Sequence, residues 1–273
     1  MLSFYTDLKI SYYITALGGS LFWAILFGSL ELSPWYCLLL LPWILLCATV
    51  FIFLTQRRLN KLNNQRTEQF LVRPFMQFYD SVLYKPAVEK NIVTRNLVLI
   101  NLAAGYINLG YAQRALDRLQ QVQLRKRKSS TDAQTAFVYH NNLAVTHLEL
   151  HNIDAAQSEL AEMERLLDTD KLPKLIRTQF RQIYSHNRAV LTIEQGQFEG
   201  AELMLKTILD AASSTLTKVE AHEQLAAVYI ATGQLDKARE CLTFAVQHGG
   251  DTIYAARSAK KLQELEKAIP TND

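Results

Sequence analysis

The chain has 273 residues and a mass of 31.1 kDa, room for one or two domains. Hydrophobic residues make up 49% and charged residues 20%, which excludes an intrinsically disordered chain. Ten glycines and six prolines exclude a collagen-like or turn-rich β protein. A net charge of +3 is too small to point to a dedicated nucleic-acid binder.

The charge is unevenly spread. Before Arg57 the only charged side chains are Asp7, Lys9 and Glu31. The remainder holds 28 basic side chains (29 less Lys9) and 24 acidic ones (26 less Asp7 and Glu31). An almost charge-free front end therefore precedes a water-compatible body. Residues 10–30 and 32–56 are uncharged runs of 21 and 25 residues, separated by Glu31. About 20 apolar residues suffice for a helix to cross a hydrocarbon core. Residues 1–57 are expected to form a transmembrane helical hairpin, with spans at about 10–30 and 33–55 and a turn at Glu31, Ser33 and Pro34. Trp35 and Tyr36 open the second span, where amphipathic rings favour an interface. A cleaved signal peptide and a buried soluble hairpin are the competing possibilities. The first run is longer than a signal core, and both runs are apolar all round.

Lys9 precedes the first run, and Arg57, Arg58, Lys61 and Arg66 follow the second, while the turn has no cation. Positive charge stays on the cytoplasmic side, so both termini and the body are expected there, with the basic cluster near anionic lipid. Within the first run Ala16, Ser20, Ala24 and Gly28 recur every fourth residue. Such a small-residue stripe lets a second helix approach closely, either the chain's own second span or another integral membrane protein. Cys37, Cys47 and Cys241 show no CxxC or Cys/His spacing, so neither a disulfide framework nor a zinc finger is indicated.

From residue 64 onward apolar residues recur at three and four, and hairpin signals are missing. Four stretches align with one another. They are Leu102-Ala103-x2-Tyr106-x3-Gly110-x4-Ala115-x3-Leu119, Leu143-Ala144-x2-His147-x3-His151-x4-Ala156-x3-Leu160, Arg188-Ala189-x2-Thr192-x3-Gly196-x4-Ala201-x3-Leu205 and Leu225-Ala226-x2-Tyr229-x3-Gly233-x4-Ala238-x3-Leu242. Small residues on both helices of a pair allow close approach, and a glycine between them supplies the positive φ that ends the first helix. This pattern resembles the tetratricopeptide repeat (TPR) family over residues 90–248. The third stretch lacks the leading leucine, the second has His151 at the glycine position, and no unit has the family's tryptophan or closing proline. The turn positions 110, 151, 196 and 233 lie 41, 45 and 37 residues apart, against a family period of 34. The surplus falls at polar stretches 125–132 and 167–173. The expected fold class is all-α: two transmembrane helices, then a TPR-like α-solenoid at 64–268. The solenoid would have about four helix-turn-helix units and two caps. The caps are residues 68–83, with Phe75, Phe78 and Val82 on one face, and a last helix with Ile253, Ala256, Leu262 and Leu265 on one stripe.

Three groups of residues carry functional chemistry. His140, His147 and His151 share a helical face, but His140 and His147 stand about 10 Å apart along it, too far to close on one zinc ion. Arg125-Lys126-Arg127-Lys128 offers charge to lipid, RNA or an acidic partner, and equally well a solvated helix end. Asn101, Asn142, Asn187 and Gln224 occupy one register, just before the leading position of each unit. In the TPR family that register faces the groove, and the resemblance implies a peptide-binding row in which each amide pairs with the backbone of an extended ligand. Amides bonded within the fold are the other outcome. Ile100, Ala104 and Val145 stand where the family's carboxylate clamp needs cations. No nucleophile elbow, P-loop or dinucleotide turn is present. The expected function is a non-enzymatic, membrane-anchored interaction or scaffold protein, without cofactor, metal or nucleic acid. It would bind a protein segment and membrane lipid. The alternative is an accessory subunit docking through its hairpin.

Overall fold

The computed structural model describes residues 40–125 and 129–268. Among them every regular element is helical and no strand occurs, which is the all-α class expected. The chain divides into two units with the boundary between Asn64 and Gln65.

Helix α1, Leu40–Thr67, begins in the first unit. Leu45, Leu46, Ile52 and Phe53 on it are each more than half exposed. Among the described residues no helix is long and apolar enough to cross a membrane. The expected first span, the stripe Ala16, Ser20, Ala24 and Gly28, and residues 33–39 of the second span all lie outside the described residues. The helix does not stop at residue 55. It runs through Arg57, Lys61 and Arg66, because nothing from Phe51 to Thr67 is a glycine or proline.

The body contains α2 (Val72–Leu83), α3 (Pro86–Glu89), α4 (Ile92–Asn108), α5 (Ala112–Leu119), α6 (Ser130–Glu149), α7 (Ile153–Leu167), α8 (Lys174–Glu194), α9 (Phe198–Ala211), α10 (Thr215–Ala231), α11 (Leu235–His248) and α12 (Ile253–Ala268). Helices α4, α6, α8, α10 and α12 pack against one another in series, and α5, α7, α9 and α11 each lie between two of them. That is a two-layer, repeat-like stack of helix pairs.

The aligned residues perform the same task in every pair. Gly110, His151, Gly196 and Gly233 have φ of 78°, 56°, 74° and 75°. The next residue donates its amide five positions back at 2.8–3.0 Å, from Tyr111 to Tyr106, Asn152 to His147, Gln197 to Thr192 and Gln234 to Tyr229. This is the Schellman end, made four times. Only His151 has a side chain in that region, at a cost of about 1–2 kcal/mol. Past the turn, Ala115, Ala156, Ala201 and Ala238 are fully buried, as are Ala103, Ala144, Ala189 and Ala226 on the preceding helices. Leu119, Leu205 and Leu242 complete the contact with no exposure, and Leu160 with 4%.

The long connections are pinned by side chains. Asn96 holds residue 123 through both its backbone groups, donating to the carbonyl at 2.7 Å and accepting from the amide at 3.1 Å. Ser129 and Asp132 form a capping box that starts α6. Arg177 donates to the carbonyls of Thr169 and Leu172 and closes the turn before α8. Phe137 of α6 stacks on Phe180 of α8 with centroids 4.0 Å apart.

The two ends depart from simple caps. Helix α2 packs on α4 as expected, burying Phe75 and Val82. It starts at Val72, however, and the residues just before it turn to the other end of the stack. Glu68 accepts from Thr215, the Val72 amide reaches Asp251, and Phe70 joins Leu216, Val219, Ala245 and Tyr254 in one cluster. The stripe expected on α12 packs inward at Ile253, Leu262 and Leu265 but not at Ala256, which is exposed, while Tyr254, Ala255 and Ser258 are buried as well. The wider buried face follows from what α12 touches. Ile253 packs so closely on Gly110 that a Cβ there would come within 2.8 Å of its side chain, and Arg257 reaches Glu149. The last helix therefore contacts the first two pairs as well as its neighbours.

Candidate functional site

The inner layer of first helices carries the polar residues that the packing of the pairs does not use. The amide register is the natural starting point. Asn101 is half-buried and donates to the Leu97 carbonyl of its own helix. Asn142 is 5% exposed and Asn187 is 6% exposed. Asn187 donates to the side-chain oxygen of Asn141 at 2.8 Å, Asn141 to that of Asn142 at 3.1 Å, and Asn142 to the Ile100 carbonyl at 3.0 Å. A relay of amides thus ties α8 to α6 and α6 to α4. Gln224 is half-buried on α10. The four side chains share a register, but the two central ones are spent inside the fold. They do not form an open row for a ligand. The reason is the adjacent Asn141: an amide beside an amide satisfies it internally, and buried polar groups find partners.

A charged cluster occupies the same layer, and sequence reasoning did not single it out. Glu149, Glu220 and Glu223 face Arg66, Arg257 and Lys261. Arg257 pairs with Glu149 at 2.7 Å and with Glu223 at 3.4 Å, and Lys261 pairs with Glu223 at 2.8 Å. Arg66 donates to Asn108 at 3.1 Å. The His186 imidazole lies 3.8 Å from Glu220. Burial pushes the Glu220 carboxyl up to about 7, against a hydrogen bond from Tyr254 and the charge of Arg66. Burial alone takes His186 down to about 4. Burial also raises the Tyr254 phenol, and Glu220 adds to that rise. For Arg257 burial acts to lower the pKa, but Glu223 and Glu149 outweigh it and the cation is favoured. Because Arg66 and α12 come from the two ends of the body, these pairs close the inner face with the chain's own residues. A signal was present in the sequence: Glu220 and Glu223 stand among the buried apolar positions Val219, Ala221 and Leu225 of their helix.

The three histidines go separate ways. His140 pairs with Glu159 at 2.6 Å and His151 with Glu194 at 3.2 Å, while His147 sits half-buried in the aromatic slot. Among the described residues no group of three or more His, Cys, Asp or Glu side chains converges as metal ligands would. Burial raises the Cys241 thiol to about 11, which keeps it protonated and unreactive at neutral pH. Of the basic run, Arg125 is described and exposed at the end of the α5–α6 connection.

No protein-family model, curated protein or solved structure matches this chain. The likeness to tetratricopeptide repeats rests on the aligned residues and on the helix pairing alone.

Proposed function

We propose that this protein is a non-enzymatic, membrane-anchored interaction protein: an N-terminal apolar hairpin holds a TPR-like helical body at the cytoplasmic face of a membrane, where the body recruits a protein segment. The observation that carries this is the division of labour along one chain. Leu45, Leu46, Val50, Ile52 and Phe53 stand exposed close together on α1, whereas after Gln65 exposed apolar side chains such as Leu175 and Leu203 are scattered around a buried two-layer core. Exposed apolar side chains in a continuous run need an apolar environment, and lipid supplies one. The charge-free runs at 10–30 and 32–56, flanked by Lys9 and by Arg57, Arg58 and Lys61, give the anchor its length and orientation. Tethering restricts the search for a partner to the membrane surface and raises its effective concentration.

Recruitment through an amide row is not retained, since Asn142 and Asn187 are occupied. The surface that binds is therefore on the outside of the stack or at its connections. The test has two parts. Alkaline carbonate extraction of membranes should leave the full chain in the pellet, and protease added from the cytoplasmic side should remove the body. Release into the carbonate supernatant would refute the anchor. Photo-crosslinking in native membranes should then give a discrete adduct from probes on the body. Adducts only from probes at Ser20 or Ala24 would move recognition into the bilayer and make the chain an accessory subunit.

A further inference from the structure

We propose that the corner between α2 and α4, built on the short helix α3, is a second lipid contact that lies on the anionic headgroup surface of a membrane. Three large apolar side chains stand exposed on this corner, Tyr84 at 65%, Ile92 at 42% and Val93 at 45%. Two lysines stand among them. Neither Lys85 nor Lys90 has an ion pair or a side-chain hydrogen bond among the described residues. A phenol ring, aliphatic tips and unpaired ammonium groups are what a bilayer interface takes up. The ring and the tips settle at the acyl boundary while the ammonium groups stay at the level of the phosphates.

The corner is built rather than loose. The Lys85 carbonyl accepts from the amides of Val88 at 2.8 Å and Glu89 at 3.0 Å, and the Pro86 carbonyl from that of Lys90 at 3.1 Å. The Asn91 side chain accepts from the amides of Val93 and Thr94, both at 3.1 Å, and so starts α4. Of residues 84–93 only Val88 is buried, at 3% exposure, and it pins the turn to the core. A turn held this way loses little entropy when it meets a surface.

The occupant follows from charge and shape. Residues 57–95 carry eight basic and three acidic side chains, a net +5, whereas residues 96–273 carry 20 and 21, a net −1. The positive excess of the chain after the charge-free runs therefore sits in the segment that directly follows them, and the corner belongs to it. A small ligand needs a concavity, but consecutive exposed residues make a projection. A projection with cations around apolar tips suits a surface that yields around it. An anionic bilayer supplies negative charge and, beneath it, an apolar layer. The inference rests on the anchored reading above only for the presence of that membrane.

The test uses the full chain reconstituted into vesicles of phosphatidylcholine with or without phosphatidylserine, with some lipids carrying a nitroxide just below the headgroup. A fluorescent amino acid is built in at position 93 or, as a control, at position 203 on α9, where Leu203 is 70% exposed but follows Glu199 and Glu202. Quenching at 93 is expected in the phosphatidylserine vesicles, weaker without phosphatidylserine or in high salt, and absent at 203. Lys85→Gln with Lys90→Gln should lower the docked-to-free ratio at 93 about thirtyfold, the usual worth of two basic residues near an anionic surface. A melting curve checks that the double variant folds. Equal quenching at 93 and 203, the same quenching with and without phosphatidylserine, or indifference to the double variant would overturn the lipid contact. So would a probe at 93 that stays unquenched in these vesicles but crosslinks to a protein in native membranes. Carbonate extraction of the same vesicles reads the anchor by itself. Chain retained by the lipid with position 93 unquenched refutes the corner alone, and quenching at 93 in a chain that carbonate releases refutes the anchor alone.

Discussion

The contact between the two helices of each pair and the inner face of the stack follow opposite rules. Within a pair, the same residue types recur four times in the same role. Alanine faces alanine, leucine closes the contact, and a left-handed residue ends the first helix. On the inner face little recurs beside the amide register. Two positions before the leading residue stand Ile100, Asn141, His186 and Glu223, one apolar, one amide, one imidazole and one carboxylate. Repetition serves packing, because every pair must bury the same kind of surface. Individuality collects where the body meets its own ends, because only there does each unit have a different neighbour.

The largest expected effect tests the repeated contact. Leu119→Ala, Leu205→Ala and Leu242→Ala should each destabilise the body by about 2–5 kcal/mol in chemical denaturation, since all three are fully buried. If the units are equivalent, the three losses agree within about 1 kcal/mol; a loss below that at one position breaks the equivalence. Next comes the inner face. Arg257→Met strands Glu149, leaves Glu223 to Lys261 alone and should cost about 2–3 kcal/mol, less than a fully buried pair because Arg257 retains 30% exposure. Arg257→Lys should recover part of it. Equal stability of Arg257→Met and the parent would mean that the ends do not depend on these pairs.

A smaller, pH-dependent effect centres on Glu220 and His186. The folded value of Glu220, about 7, lies above its ordinary value of 4.5. Its contribution is thus complete below the ordinary value and is lost as pH rises through 7. His186 is held near 4, below its ordinary 6.5, so its contribution is complete above 6.5 and lost as pH falls through 4. Glu220→Gln should therefore gain on the parent between pH 5 and pH 8, by on the order of 1–3 kcal/mol, given that a fifth of the Glu220 side chain meets solvent. A melting-temperature difference independent of pH would remove Glu220 from this role. The smallest effect returns to the repeat. His151→Gly relieves a left-handed histidine whose pair with Glu194 is 77% exposed on the histidine side. It should stabilise by about 1 kcal/mol, a rise of roughly 2–4 °C in melting temperature. A fall would show that the exposed pair outweighs the backbone strain.

Much of the body was legible before any coordinates. The glycine-like positions, the paired alanines and the leucines are local facts: each is a residue type demanded by its own turn or its own helix pair. His151 was marked as the exception, and its turn forms nonetheless. The amide row shows where that legibility stops. The four amides lie at equivalent positions on the first helices, but whether Asn142 meets a ligand or Ile100 depends on the neighbouring helix and on Asn141. The widened face of α12 is a second case. Its periodicity placed Ile253, Leu262 and Leu265 inward, while its docking on Gly110 and Glu149 left Ala256 exposed and buried Tyr254 and Ser258 too.

The amino-acid sequence alone determined the helical class, the pairing of helices and the place of the four turns within the pairs, because periodicity and turn chemistry act within a few residues. It also determined the division between a charge-free front end and a charged body. Only the tertiary structure decided which polar residues meet. Arg66 and Arg257 are 191 positions apart, yet both join the charged cluster of the inner face, and Arg125, Arg165 and Lys171 come together from the α5–α6 connection, from α7 and from the α7–α8 connection. Electrostatic partners of this kind are set by distance in space, and a linear pattern carries no term for it.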